Sequence, residues 1–424
     1  MPRTARRGHT QKGLFPMSLP LDPARIRAEF PSFKQPDLKD FAFFENAGGS
    51  YTCAQVLNRM RAYYWNTKVQ PYGGYPASRA AGEAMDDAHR RLALVLNVAA
   101  DWIHFGPSTS ANTYTLARAF ETWLRPADAI VVTNQDHEAN TGAWRHLASR
   151  GIDVREWKVE PQTGHLNPAD LDKLLDSKVR LIAFPHVSNI VGEINPVSEI
   201  VKKAKAFGAV TVVDGVSYAP HGVPDLLQLG CDIYLFSTYK VFGPHQGVMA
   251  IRPSLAVELP NQGHFFNETN PRKRLVPAGP DHAQIAASAG IVDYLEKVAE
   301  IAGIGVQGAG PFRIAHNAMR VQEQMLLTPL LDYLRKKNGI RLLGPDDPVK
   351  RAPTVSIVVD RPAAHVAGMI SRHNIGVGGG HFYGWRVLEA MGVNPLHGVL
   401  RMSFVHYTTP EEIQRLIAAL DAEL

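Results

Sequence analysis

The chain has 424 residues, 45% hydrophobic and 20% charged, with a formal net charge of +5. Single cores stop growing beyond roughly 250 residues, so two packed units are expected. No apolar run is long enough to span a bilayer, and no basic stripe is interleaved with aromatics, which sets aside membrane insertion and nucleic-acid binding. Much of the positive charge sits in Arg3, Arg6, Arg7 and Lys12, ahead of the first acid, Asp22.

Residues 1–20 read as a flexible arm. The stretch Met1 to Pro16 lacks the apolar core of a secretory signal, and Met17 offers an alternative start or the end of a weak transit peptide. The two cysteines, Cys53 and Cys231, argue for a reducing, cytoplasmic setting and against a disulfide framework or a cysteine metal site. No metal site is expected.

From Trp102 onward, short apolar strands alternate with amphipathic helices. Strands are predicted at Trp102–Phe105, Ala129–Thr133, Val154–Val159, Leu181–Phe184, Thr211–Asp214, Ile233–Ser237 and Val248–Arg252. The helices between them are predicted at Thr109–Leu124, Ala139–Arg150, Pro168–Leu175 and Val197–Phe207. That alternation predicts an α/β domain with a mostly parallel seven-stranded sheet covered on both faces. Pro253 to Pro280 reads as irregular, and a helix over Ile285–Ile301 is expected to bridge to a second unit. Beyond Arg341 a smaller α+β pattern follows, ending in a helix from Pro410. The expected division is a large domain over 21–300, whose N-terminal segment packs on the small one, and a small domain over 301–424.

Ligands in such sheets bind beyond the C-terminal ends of the strands, and the polar motifs fall there. Asp214 ends one strand and Lys240 follows another, within Ser237-Thr-Tyr-Lys240. Either residue alone is usually a turn or surface group. Together they meet the demands of pyridoxal 5'-phosphate (PLP): a lysine to hold the aldehyde as a Schiff base, and a carboxylate to keep the pyridine nitrogen protonated. Ser108, Thr109 and Ser110 open the helix after the first strand, as a plain N-cap or as a phosphate cradle. His137 is a capping residue or a ring that stacks on the cofactor and shuttles protons. Asn189 can hydrogen-bond the cofactor's phenolic oxygen or a substrate carboxylate, and Ser217 and Ser237 supply further cofactor contacts.

These residues resemble the class V aminotransferase family of fold-type I PLP enzymes, and within it the cysteine desulfurase-like proteins. The similarity runs from about Phe43 to Leu424. It rests on Phe43-Phe-Glu-Asn-Ala-Gly-Gly49, Asp136-His-Glu-Ala-Asn140, Ser188-Asn189 with Gly192, Asp214-Gly-Val-Ser-Tyr-Ala-Pro-His221, Ser237-Thr-Tyr-Lys240 with Gly243-Pro244, and Gly398-Val-Leu-Arg-Met-Ser403. The resemblance implies a homodimer with shared active sites and a small amino-acid substrate. Arg401 would hold the substrate carboxylate, with Asn189, Asn46 and Tyr383 as further substrate contacts.

Three features depart from the family pattern. The C-terminal loop that carries a nucleophilic cysteine in cysteine desulfurases is here Gly378-Gly-Gly-His-Phe-Tyr-Gly384. Tyr239 stands before the lysine, where many relatives have histidine. Pro280 replaces a threonine that reaches a phosphate across the dimer, leaving His282 as the candidate for that contact. The expected chemistry is carbon–sulfur or related β-elimination without a persulfide-forming cysteine. Transamination or epimerisation is the alternative, and a PLP-binding scaffold without turnover is the remote one.

Overall fold

A computed structural model describes residues 20–277, 279–303 and 310–424. Residues 1–19 of the expected N-terminal arm lie outside the described residues, as does Ala278. Strand β1 (Ala42–Phe43) precedes two helices, Ala54–Asn66 and Pro76–Val95. Seven strands follow: β2 (Ile103–Gly106), β3 (Ala129–Thr133), β4 (Asp153–Trp157), β5 (Val179–Pro185), β6 (Val210–Asp214), β7 (Ile233–Ser237) and β8 (Gly247–Ile251). They form one sheet in the order β2-β8-β7-β6-β5-β3-β4.

The turn between β7 and β8 is too short for a crossover, so β8 runs antiparallel to β7, and also to β2. Those two reversals cancel, so β2 points the same way as the parallel β3 to β7. The C-terminal ends of β2, β3, β5, β6 and β7 therefore share one edge.

Strands buried on both faces read as unbroken apolar runs, and Ala129-Ile-Val-Val-Thr133 shows why. Ile130 and Val132 pack with Phe120 and Trp144 on one face, while Ala129 and Val131 join the core around Phe236, Ile291 and Tyr294 on the other.

A smaller sheet, in the order β12-β13-β10-β9, is built from β9 (Arg341–Leu342), β10 (Thr354–Val358), β12 (Gly378–Gly380) and β13 (Val399–Ser403). Its pairings are all antiparallel. Strand β11 (Ile375–Gly376) pairs in parallel with β1, so the N-terminal segment is stitched to this unit. Phe44, Leu326, Leu330, Leu400, Phe404 and Leu416 fill its core.

The helix expected to bridge, His282–Ala302, packs in the core of the large sheet through Ile285, Ile291, Tyr294 and Val298, and its Tyr294 hydroxyl lies 2.6 Å from His406 Nε2, beyond β13. A second helix, Pro311–Leu334, unread in the sequence, also spans both cores. Its Ala315 and Met319 join the large core, and Leu326 to Leu334 join the small one.

Candidate active site

The shared strand edge opens into a cavity of about 160 Å³. It gathers Ser108, Thr109, Ser110, His137, Asn189, Asp214, Ser217, Ser237 and Lys240, all expected there. Asp136, Tyr239 and His245 also line it and were given no role from sequence.

Ser108 caps the helix Thr109–Trp123 by accepting from the Ala111 amide at 3.1 Å. The first amides of that helix have no intrahelical acceptor, and Ser108, Thr109 and Ser110 line the cavity beside them, an arrangement open to an anion. Thr109 Oγ1 and Ser237 Oγ lie 2.8 Å apart, linking the start of this helix to the end of β7. Gly247 makes this approach possible. A Cβ there would come within 2.4 Å of the Ser108 carbonyl carbon and 2.6 Å of the Thr109 nitrogen.

Lys240 ends a single helical turn, Thr238–Lys240, whose shape is set by Thr238. The Thr238 carbonyl accepts from the amides of Val241 and Gly243, and its hydroxyl donates to the Gln246 carbonyl. Lys240 and Asp214 are only 7% and 6% exposed. Burial, reinforced by Arg401 and opposed by Asp214 and Glu45, brings the Lys240 amine down to about 8. Burial also lifts the Asp214 carboxyl to about 6, against the Val216 amide and the Lys240 charge. Asp136, fully enclosed, is raised by burial and by the Asp214 charge, while Asn140 and the His137 amide hydrogen-bond it. The site thus holds an amine kept reactive and a carboxyl kept ready to share a proton.

His137 is the N-cap of Glu138–Arg145, and its Nδ1 accepts from the Ala139 amide at 3.0 Å. Burial, with the Lys240 and Arg401 charges, drops its pKa to about 3, so the ring is neutral. A neutral ring suits stacking; relaying protons through Nδ1 would require the ring to release the Ala139 amide. On its outer side His137 meets Tyr383, with centroids 5.1 Å apart and planes at 34°.

Four expected residues do not line the cavity. Arg401 is buried just behind Asn189, donating Nη1 to the Asn189 carbonyl at 3.3 Å. Phe382 covers one face of its guanidinium at 3.7 Å. Asn46 is buried and donates to the Tyr407 hydroxyl. Tyr383 is 65% exposed in a cleft outside the cavity, with His381, Trp385, Arg386 and Glu138. His282 opens its helix beyond the cavity, in the field of Lys68.

The loop Gly378–Gly384 is anchored from both sides. The Glu138 amide donates to the Tyr383 carbonyl at 2.9 Å, Asn189 Nδ2 donates to the Phe382 carbonyl at 2.8 Å, and Arg386 pairs with Glu138 at 3.0 Å. Both cysteines lie elsewhere: Cys53 is fully buried before Ala54–Asn66, and Cys231 is buried before β7. Burial pushes both thiols up to about 12.

PLP brings an aldehyde, a basic ring nitrogen and a phosphate, and Lys240, Asp214 and the Ser108–Ser110 cradle answer these in turn. Asn189 Oδ1 is buried at the cavity wall without a partner among the described residues, a free acceptor there.

The aminotransferase class-V family model matches residues 42–416. The aminotransferase-like protein FGM3 of Gibberella zeae is 33% identical over 410 residues, covering 94% of this chain and 98% of its own length. The cysteine desulfurase-like protein ustD of Aspergillus flavus is 30% identical, covering 96% of this chain and 91% of its own. The apo structure of the cysteine desulfurase from Thermococcus onnurineus superposes with a TM-score of 0.82 at 24% identity, covering 96% of this chain and 99% of that one. With the family model spanning nearly the whole fold and the site built at its shared strand edge, the chain belongs to the class V aminotransferase family of PLP-dependent enzymes, among its cysteine desulfurase-like members.

Proposed function

We propose that the chain binds PLP through Lys240 and eliminates a sulfur or related leaving group from the β-carbon of a small amino acid, without a persulfide-forming cysteine. The observation that carries the reading is the enclosure of Lys240 and Asp214 in one cavity with an anion cradle, while both thiols lie buried outside it. When bound, PLP supplies an electron sink for a carbanion at the substrate Cα. Lys240, with a pKa near 8, has enough neutral amine near neutral pH to take the α-proton. Asp214 holds a proton at the ring nitrogen, His137 stacks as a neutral ring, and Ser108, Thr109, Ser110, Ser217 and Ser237 bind and orient the phosphate end. Arg401 holds the substrate carboxylate, a task suited to its planar fork. Asn189, Asn46 and Tyr383 complete the substrate side.

With cysteine as substrate, the C–S bond breaks and sulfide leaves with the bonding pair. The α-proton passes to Lys240, and the released enamine takes up water to give pyruvate and ammonia. The test is release of pyruvate, ammonia and sulfide from cysteine, cystine and thioethers. Amino exchange dependent on a keto acid, or racemisation, in place of release would overturn the reading.

The active unit in this reading is a homodimer in a reducing, cytoplasmic setting. Trp65, Phe265 and Phe266 are 73%, 86% and 69% exposed, apolar surface that a second copy would cover. His282 is the residue proposed to reach a phosphate across the dimer. Among the described residues no helix is long and apolar enough to cross a membrane. A monomer in sedimentation at working concentration would remove the shared-site part of the proposal.

A further inference from the structure

Arg401 already has a carboxylate. Its Nη2 lies 2.6 Å from Glu45 Oε1, across 356 residues of sequence. The pairing is built into the backbone: Glu45 bridges to Ser403, two residues beyond Arg401 on β13, and its side chain turns back toward the guanidinium. Gly378, the register partner of Arg401 on β12, leaves room for the second carboxylate oxygen, because a Cβ there would fall 2.0 Å from Glu45 Oε2.

The two partners are not equally fixed. The Arg401 side chain is 4% exposed, held by the Asn189 carbonyl and covered by Phe382, whereas Glu45 is 28% exposed. Arg401 Nε is buried with no partner among the described residues, so the guanidinium keeps an unused donor. A second carboxylate on that cation would stand against Glu45 at close range, and like charges in a buried site repel strongly. The more exposed anion is the one able to leave.

We propose that Glu45 is a tethered competitor for the substrate carboxylate, which must displace it from Arg401 to bind. The proposal rests on the reading of Arg401 as the carboxylate anchor. A tethered ligand acts at an effective concentration on the order of millimolar or more. Glu45 therefore sets a threshold that stray small carboxylates cross only at concentrations comparable to its own effective one. An amino acid crosses it by engaging the cavity through its amine as well.

The test uses PLP-loaded protein titrated with acetate, followed by the rise in melting temperature, with chloride at matched ionic strength as the control. Glu45→Gln is expected to lower the half-saturating acetate concentration about tenfold. Glu45→Asp, whose carboxylate falls short of Arg401, is expected to shift it in the same direction should the glutamine variant fold poorly. The KM for the amino-acid substrate should fall in parallel, whereas loss of a merely supporting residue would raise it. Arg401→Ala should abolish the saturable response. Acetate binding equal or weaker in both Glu45 variants, with Arg401→Ala silent, overturns the competitor and leaves the anchor standing. A saturable response retained in Arg401→Ala overturns the anchor itself.

Discussion

Asp214 closes β6 opposite Leu235 of β7, and Lys240 follows β7 by three residues, so the site's acid and amine are delivered by neighbouring parallel strands. Each acts on the other: the Lys240 charge eases ionisation of Asp214, and the Asp214 charge partly offsets the burial that holds Lys240 down. Removing either therefore disturbs both.

Lys240→Ala is expected to remove the visible cofactor band and all turnover. Asp214→Asn should keep the band and lose about two to four orders of magnitude in kcat, the usual scale for a lost proton-handling group. The check is an absorbance spectrum beside a rate for each variant, with borohydride fixation mapped by peptide mass. A cofactor adduct fixed on a lysine other than Lys240 would break the assignment.

Capture of PLP by the apoprotein should follow the neutral form of Lys240. With its pKa brought to about 8, the capture rate is expected to rise by about tenfold per pH unit below that value and to level off above it. Because Arg401 is one of the charges holding the amine down, Arg401→Gln should move the break to higher pH, never lower. Stopped-flow mixing of apoprotein with PLP across pH 6 to 10 measures both. The linkage sign for stability agrees. A lysine whose folded pKa lies below its unfolded value leaves the native apoprotein less protonated, so its stability should increase as pH climbs from about 8 toward 10.5.

The phosphate cradle can be tested without touching a hydroxyl. Gly247→Ala places a methyl against the Ser108 and Thr109 backbone, which cannot swing aside as a side chain would. Displacing the cradle should cost one or more charged hydrogen bonds, each about 1.5–3 kcal/mol, or about tenfold to a hundredfold in PLP affinity. Equilibrium titration of apo variants reads this directly, and unchanged affinity would move the anion site elsewhere.

Strands β3 and β7 were legible to the residue, Ala129–Thr133 and Ile233–Ser237, because strands buried on both faces carry unbroken apolar runs. The helices Ala54–Asn66 and Pro76–Val95 were not. They bury only Val56 and Tyr63 in the first case and an alanine-rich stripe in the second, and that weak pattern acquires meaning only against His282–Ala302. The cavity residues that stood at strand ends were readable for the same reason the strands were. Asp136 and His245 escaped because their roles come from packing: Asp136 meets the Asp214 charge across the sheet edge, and His245 stacks on Tyr239 with centroids 4.7 Å apart and planes at 4°. The Glu45–Arg401 pair joins opposite ends of the chain, and no local pattern announces it.

A relay through a cysteine can be tested directly, because both thiols can be removed together. Cys53 Sγ lies 3.9 Å from the Gly290 carbonyl, an acceptor that a serine hydroxyl can use, while Cys231 has apolar surroundings and a thiol that burial keeps protonated. Replacing both with serine should therefore cost stability, about 1–3 kcal/mol for a poorly satisfied buried hydroxyl. It should spare kcat measured well below the melting temperature, since neither thiolate forms near neutral pH and neither side chain lines the cavity. Sulfide release that persists in the double variant at an unchanged ratio to pyruvate means the leaving group departs without passing through a protein sulfur. A folded double variant that binds PLP normally but releases no sulfide would restore a relay through one of these buried thiols, and with it a conformational opening large enough to bring that thiol to the cavity.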